Sequence, residues 1–114
     1  MSRPPITTHV LDTALGQPAA NMKISLAMLR DGVFDALCER RTNADGRLDE
    51  PLLSAPIDAG VYRITFHTEA YFSSQGKQGF YPIVEVMFTL DDPGSHYHVP
   101  LLISPYGYST YRGS

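Results

Sequence analysis

The stretch Tyr62-Arg63-Ile64-Thr65-Phe66 alternates apolar and polar side chains without a break. Successive side chains of a β-strand point to opposite faces of its sheet, so this stretch has one apolar face and one polar face. A strand of this kind packs its apolar face against a core and turns the other face to solvent. The pattern therefore predicts a strand over residues 60–67, in a sheet covered on one side.

The same alternation recurs on both sides of this strand. It predicts further strands near residues 6–12, 23–30, 33–41, 47–50, 82–90, 96–104 and 107–112. Turn-forming residues separate them, as in Gly16-Gln17-Pro18 and Asn43-Ala44-Asp45-Gly46. Many short strands with regular turns are typical of a β-sandwich or a β-barrel.

Residues 67–76 break the alternation and are predicted to form one short helix, with Thr68 as its N-cap and Gly76 just beyond its end. Two prolines constrain the strands that follow, because proline has no N–H to donate to a neighbouring strand. Pro82 fits only the start or the edge of a strand. Pro100 requires an unpaired position or a bulge in the strand that contains it.

Composition argues against several classes of protein. A chain of 114 residues fits one domain, which we expect to span residues 1–114. Hydrophobic residues make up 43% and the net charge is only −3 without a basic patch, so the chain is globular and nucleic acid is not an expected partner. No run of about 18 apolar residues is present, so no membrane segment is predicted. With no apolar signal-peptide core after the N-terminus, a cytoplasmic location is expected.

An apolar run in the predicted strand 96–104 points to self-association. Leu101, Leu102 and Ile103 follow one another without a charged residue between them. An uncharged apolar strand is a surface that another chain can cover. The run therefore favours an oligomer.

Histidines are the first candidates for chemistry, and the chain has four of them: His9, His67, His96 and His98. His96 and His98 lie two residues apart and share one face of a strand. A pair without a third ligand at a useful spacing is weak evidence for a metal, so no metal site is predicted. On pattern alone, His9 is typical of an ordinary strand residue, Arg47 of a solvated turn residue, and Tyr111-Arg112 of a frayed terminus.

Four motifs nevertheless occur together and in a recognisable order. They are His9-Val10-Leu11-Asp12 with Gly16-Gln17-Pro18-Ala19, then Asn43-Ala44-Asp45-Gly46-Arg47, the run from Tyr97 to Arg112, and the ending Tyr111-Arg112-Gly113-Ser114. In these motifs, which cover essentially the whole chain, the sequence resembles the transthyretin-related family. The terminal tetrapeptide is similar to that of the 5-hydroxyisourate hydrolase branch and differs from that of the hormone carriers.

This resemblance implies an all-β, transthyretin-like sandwich of two four-stranded sheets with one short helix. It also implies a homotetramer, a dimer of dimers, with active sites in the channel where the dimers meet. The family's functional positions correspond to His9, Arg47, His98 and Ser114 as catalytic residues, and to Tyr111 and Arg112 as substrate-binding residues.

The implied reaction converts 5-hydroxyisourate to 2-oxo-4-hydroxy-4-carboxy-5-ureidoimidazoline, a step of urate catabolism. Histidine, with an ordinary pKa of about 6.5, can take a proton from water, and His98 and His9 are expected to share this work in an order that stays open. Arg47 and Arg112 offer planar guanidinium groups to urea-like oxygens. Ser114 could orient an imidazole through its hydroxyl or its carboxylate. Because water is the nucleophile, we expect no cofactor.

Two alternatives stay open at this point. A hormone carrier of the same fold would have an apolar channel, whereas the residues at these positions are histidine, arginine and tyrosine. A β-sandwich adhesion module is usually secreted and braced by disulfides, whereas this chain has a single cysteine, Cys38. Both features favour the enzyme.

Overall fold

Strands are the main regular structure in the computed structural model, which describes residues 5–53 and 58–113. In this part of the chain, two four-stranded sheets, a two-stranded pair and one short helix confirm the predicted fold class. The elements are β1 (Ile6–Thr7), β2 (Val10–Asp12), β3 (Gln17–Pro18), β4 (Lys23–Arg30), β5 (Val33–Arg41), β6 (Gly60–Phe66), α1 (Thr68–Ser73), β7 (Val84–Leu90), β8 (Tyr97–His98), β9 (Leu101–Ser104) and β10 (Gly107–Thr110).

One sheet is long and regular, with strands of seven to nine residues in the order β5-β4-β6-β7, all antiparallel. We call it the regular sheet. Its apolar positions point inward as the alternation predicts: Ile64 and Phe66 are fully buried and pair with Leu26 and Ile24 of β4. Fully burying a side chain of this size contributes roughly 1.5–3 kcal/mol. The regular sheet therefore supplies one wall of the core.

The opposite layer is built from shorter pieces, with strands of two to four residues. It comprises the sheet β10-β9-β2-β3 and the parallel pair β1–β8, and we call it the broken layer. Its two central chain segments run side by side in parallel. The Val99 N–H donates to the Thr7 carbonyl and the Leu101 N–H donates to the His9 carbonyl, both at 2.9 Å, across the gap between the named strands. The predicted strands over 6–12 and 96–104 are therefore correctly placed, but each is split in two.

Side chains and a proline explain the split. The Thr8 hydroxyl donates to the Val99 carbonyl at 2.7 Å and so occupies an acceptor that a regular ladder would use. Pro100 has no N–H to offer, and the strand is interrupted at 99–100, in agreement with the break expected there. Pro82 also meets its constraint, since β7 begins only at Val84.

The predicted strand over residues 47–50 is wrong. Asn43 occupies both backbone groups of Arg47: its side-chain oxygen accepts the Arg47 N–H at 3.1 Å, and its own N–H donates to the Arg47 carbonyl at 2.7 Å. These groups would have formed the strand ladder. The reverse error occurs at residues 17–18, which were expected only as a turn but form β3 beside β2.

The helix is confirmed, but its start differs from the prediction. Thr68 is the first helical residue, not the N-cap, and its hydroxyl donates to the Tyr81 carbonyl at 2.7 Å. Gly76 follows the helix with φ of +69°, the left-handed conformation expected just beyond a helix end. In the residues that the structure describes, no helix has the length and apolarity needed to cross a membrane.

The core lies between the two layers. The broken layer contributes Ile6, Val10, Leu101 and Ile103, each at most 1% exposed. Leu101 and Ile103 are therefore core residues of this chain, whereas Leu102 between them is half-buried on the opposite face of β9, so of this apolar run only Leu102 is left for a surface between chains. The Tyr71 hydroxyl of α1 donates to the buried Asp12 carboxylate at 2.7 Å.

Candidate active site

His98 lies at the end of β8, on the outer face of the broken layer. Its neighbour Tyr97 points into the core and is 3% exposed, so the His98 ring points the other way. β1 pairs in parallel with β8, which places Thr7 directly opposite His98. The Thr7 hydroxyl lies 2.8 Å from His98 Nδ1 and 3.2 Å from His96 Nε2. The rings of His96 and His98 are nearly parallel, at 10°, with centroids 6.5 Å apart.

His9 lies on the same outer face, two residues beyond Thr7, in the gap between β1 and β2. Its Nε2 lies 2.9 Å from the Asp45 carbonyl oxygen. A carbonyl can only accept, so Nε2 carries the hydrogen, and the lone pair of a neutral His9 is then on Nδ1. The turn that holds Asp45 is attached to the same segment, since Val10 N–H donates to the Gly46 carbonyl at 2.9 Å.

Gly46 permits this attachment. Its φ of +73° is unfavourable for other residues, and a Cβ there would overlap the Val10 carbonyl and approach His9 Cδ2 to 3.3 Å. The turn therefore packs directly against the segment between β1 and β2 that contains His9.

Arg47 comes next along the chain, with an exposed side chain. Arg47 and Thr7 line the same cavity of about 180 Å³. Asn43 bonds the Arg47 backbone, as described above, and the side chain of Arg47 is exposed. The structure thus brings Arg47 to the edge of the face that holds Thr7, His9 and His98.

Arg112 has a different position from these residues. Its guanidinium carbon lies 4.3 Å from the centroid of the Tyr97 ring, in cation–π contact. Tyr97 donates its hydroxyl to the Asp91 carboxylate at 2.6 Å, and this bond, helped by the positive charge of Arg112, lowers the pKa of Asp91. Within one chain, the structure therefore places Arg112 on the Tyr97 ring.

The end of the described chain packs against His98. The Gly113 N–H donates to the His98 carbonyl at 2.8 Å. A Cβ on Gly113 would lie 2.5 Å from His98 Cδ2, which is closer than such atoms approach in proteins. Glycine is thus required for this contact. Ser114, predicted as catalytic, lies outside the described residues. Tyr111, predicted to bind substrate, is 59% exposed.

Sequence reasoning missed two neighbours of His98. It did not single out Thr7, and it weighed His96 only as a metal ligand. The period-two pattern contained a signal for Thr7, because residue 7 shares a face with His9.

Within residues 5–53 and 58–113, no group of three or more His, Cys, Asp or Glu side chains is arranged to hold a metal ion.

Comparison with known proteins gives a consistent result. The model of a family described as HIUase/Transthyretin matches residues 6–113. A protein named 5-hydroxyisourate hydrolase 2 from Rhizobium meliloti is 49% identical, over 96% of this chain and 95% of that protein. The structure of 5-hydroxyisourate hydrolase from Klebsiella pneumoniae is similar with a TM-score of 0.80 at 38% identity, covering 96% of this chain and 92% of that one. Transthyretin from Sparus aurata has a TM-score of 0.90 at 31% identity, covering 97% of both chains.

Proposed function

The chain belongs to the HIUase/transthyretin family, in its hydrolase branch, and from this premise we propose that it hydrolyses 5-hydroxyisourate. The fold alone does not separate hydrolase from carrier, because the backbone is closer to the Sparus aurata transthyretin than to the Klebsiella pneumoniae hydrolase. By sequence identity the chain is instead more similar to that hydrolase, at 38%, than to that transthyretin, at 31%. Function resides in the site, so the site residues decide between the two.

The observation that carries this proposal is the grouping of Thr7, His9 and His98 on one outer face, with Arg47 at its edge. A carrier of a large apolar hormone needs apolar walls, whereas this face presents two imidazoles, a hydroxyl and a guanidinium. Such groups suit a small polar heterocycle with several carbonyl oxygens. The grouping therefore favours hydrolysis over transport.

In the proposed reaction, water adds to a ring carbonyl of 5-hydroxyisourate. A histidine removes a proton from water as the C–O bond forms, and the carbonyl oxygen becomes an oxyanion. The C–N bond then breaks, the ring nitrogen receives that proton, and the ring opens. The product is 2-oxo-4-hydroxy-4-carboxy-5-ureidoimidazoline, in which a carboxylic acid replaces the former carbonyl and loses the second proton of the water to solvent.

His98 and His9 are the proposed proton carriers. For His98, whose Nδ1 lies 2.8 Å from the Thr7 hydroxyl, Nε2 is the proposed atom of proton exchange. His9 has its Nε2 engaged by the Asp45 carbonyl, so its Nδ1 is the corresponding atom. The order in which the two rings act stays open.

Arg47 is the proposed stabiliser of the oxyanion, since it lies beside the Thr7 face and its charge is permanent. For Arg112 and Tyr111 we propose contact with substrate across an interface between copies of the chain, because Tyr111 is 59% exposed and Arg112 is held on the Tyr97 ring. Ser114 is proposed to orient an imidazole.

A homotetramer, a dimer of dimers with the sites in the channel between the dimers, is the proposed assembly. Two edges of the described sheets support it. β7 and β10 are outermost strands, and each exposes large apolar or aromatic side chains, such as Met87 at 62% and Tyr108 at 43%. Uncovered edges of this kind pair readily with another chain.

Ultraviolet decay of 5-hydroxyisourate, made in situ from urate with urate oxidase, tests the function. We expect the protein to accelerate this decay, and His98→Ala to lower kcat by about 10²–10⁴-fold, because a general base is lost. The matched control is His67→Ala, which removes a histidine next to the regular sheet and should leave kcat unchanged. Size-exclusion chromatography checks that each variant keeps the wild-type assembly.

Two outcomes would count against the proposal. Decay at the spontaneous rate from intact protein would favour a binding protein. A normal kcat in folded His98→Ala would exclude His98 as the base. Deleting residues 113–114 tests the proposed role of Ser114, since an unchanged kcat would remove the terminus from the mechanism.

A further inference from the structure

Asn43 bonds most of the turn that carries Asp45 and Arg47. Its side-chain oxygen accepts two backbone N–H groups, from Asp45 at 2.9 Å and from Arg47 at 3.1 Å. Its side-chain nitrogen donates to the Asp49 carboxylate at 2.9 Å. Its backbone N–H donates to the Arg47 carbonyl at 2.7 Å, and its carbonyl accepts the Gly46 N–H at 3.0 Å. One residue therefore holds the turn through both its backbone and its side chain.

These bonds orient the carbonyl that contacts His9. The Asp45 carbonyl and the Gly46 N–H belong to one planar peptide unit, and in a trans unit such as this one they point in opposite directions. The Gly46 N–H points to the Asn43 carbonyl. The Asp45 carbonyl therefore points the opposite way, where it accepts from His9 Nε2 at 2.9 Å. Since the Asp45 N–H is bonded to the Asn43 side chain, Asn43 holds Asp45 from both sides.

The bond from Asn43 to Asp49 bears on the charge of Arg47. Arg47 and Asp49 line the same cavity of about 180 Å³, and their opposite charges attract each other. A carboxylate paired with the Arg47 guanidinium would offset the positive charge that stabilises an oxyanion. The Asn43 amide engages the Asp49 carboxylate and so opposes that pairing. The same side chain therefore helps to keep the charge of Arg47 for a ligand.

We propose that Asn43 is a positioning residue for the reaction, which orients His9 through the Asp45 carbonyl and fixes the backbone from which Arg47 extends. This inference rests on the proposed function, in which His9 and Arg47 take part in catalysis. The role requires an acceptor for two N–H groups and a donor for a carboxylate on one short side chain, and the asparagine amide supplies both. Aspartate keeps the acceptor but lacks the donor, and alanine lacks both.

The state of His9 can be measured without substrate, by the ¹⁵N chemical shifts of its ring nitrogens in the labelled full-length protein. A carbonyl only accepts, so we expect wild-type His9 to carry its hydrogen on Nε2. Asn43→Ala removes the side-chain bond to the Asp45 N–H, so His9 should shift toward a mixture of tautomers. A role in stability alone would lower the free energy of unfolding and leave the His9 shifts of the folded protein unchanged.

Kinetics gives the second readout. Misplacement of catalytic groups by about 1 Å costs up to about 10²-fold, so Asn43→Ala should lower kcat/KM by about 10-fold to 100-fold. Asn43→Asp puts a second carboxylate against Asp49 and should lower kcat/KM as well. Combining Asn43→Asp with Asp49→Asn lets the new amide at position 49 donate to the new carboxylate at position 43, without a change in net charge. This exchange should restore the His9 tautomer and most of kcat/KM.

Asn21→Gly is the matched control. It removes the other asparagine side chain of the sequence, at an exposed position with φ of 60°, where glycine is unstrained. We expect it to change neither the His9 shifts nor kcat/KM.

Two results would overturn the inference. One is folded Asn43→Ala protein with wild-type His9 shifts and kcat/KM, and the other is a double variant that is no better than Asn43→Asp alone. Because the NMR measurement needs no substrate, failure of the proposed function is recognised separately. The expected His9 shifts in a protein that does not accelerate 5-hydroxyisourate decay would support the role of Asn43 in holding His9 and reject the proposed reaction.

Discussion

The regular sheet and the broken layer differ in how far their strands pair without interruption. In the regular sheet, seven to nine residues pair without a gap except for one bulge, between Leu26 and Ala27. In the broken layer, pairing stops after two to four residues, and three candidate side chains lie at or near such a stop. His9 lies between β1 and β2, His98 ends β8, and Arg112 follows β10.

This difference in strand pairing shows where a small β-sandwich can hold a functional site. A continuous strand uses its backbone groups in the ladder and spaces its side chains regularly. A break frees backbone groups and lets a turn approach, as the 43–47 turn does at His9 and Val10. The core beneath remains intact because both layers still point their apolar residues inward. We therefore expect substitutions in the regular sheet to affect mainly stability, and substitutions at the candidate site to affect mainly activity.

The largest effect is expected in the regular sheet, on stability alone. Phe66→Ala removes a fully buried ring and should lower the free energy of unfolding by about 3–5 kcal/mol. Under conditions where the variant is folded, its kcat should equal that of the wild type. Denaturant titration and the decay assay measure the two quantities. Phe80→Ala, at a residue 68% exposed, is the control, with an expected change within about 0.5 kcal/mol.

Arg47→Ala should lower activity and leave stability nearly unchanged. Loss of the proposed oxyanion partner should lower kcat/KM by about 10²–10³-fold. The unfolding free energy should change by less than about 0.5 kcal/mol, since the side chain is exposed and Asn43 holds only its backbone. Arg41→Ala, in the exposed part of β5, is the control and should leave kcat/KM unchanged. A marked loss of stability in Arg47→Ala would contradict the division between the layers.

A smaller effect is expected where the chain end meets His98. Gly113→Ala puts a Cβ within 2.5 Å of His98 Cδ2, so the imidazole must move. Displacement of a catalytic group by about 1 Å can cost up to about 10²-fold, and we expect kcat to fall between 10-fold and 100-fold. Gly107→Ala is the control, because its Cβ would meet only Ser104 Oγ, at 3.7 Å. Equal kcat values for the two variants would mean that the Gly113 contact is not needed.

The smallest effect concerns the bond that joins α1 to the broken layer. Burial, together with the hydrogen bond to Asp12, raises the pKa of Tyr71 from 10.0 to about 12. The folded state therefore keeps this proton more tightly, so the related stability is fully present below pH 10 and is lost as the pH rises toward 12. Denaturant titrations across this range should show a flatter decline for Tyr71→Phe than for the wild type. An equally steep decline in both would reject this contribution.

The regular sheet was predictable because its pattern is uniform. The expected strands 23–30 and 33–41 have the observed bounds, and 60–67 is one residue longer than β6. The broken layer was predicted less well because side chains compete for its backbone groups. Thr8 takes the Val99 carbonyl and Asn43 takes both groups of Arg47, and no period in the sequence indicates such bonds.

The candidate site was predicted by family resemblance more than by pattern. His9 and His98 lie on the outer face of the broken layer, and Arg112 lies on Tyr97, whereas Ser114 lies outside the described residues. That these residues act in catalysis or substrate binding stays a prediction. Thr7 and Gly113 were missed because their significance depends on what lies opposite them after folding. A sequence indicates which face a residue occupies, but not which residue of a distant strand it meets.

The bond between Thr7 and His98 joins residues that are 91 positions apart in the chain. Contacts of such long sequence separation close late in folding, because the entropy of a large loop must be overcome first. A growing chain on the ribosome therefore cannot form this face before His98 has been made. Activity should appear as one of the last events of refolding, after the β4–β5 hairpin, whose strands are joined by a two-residue turn, has already formed.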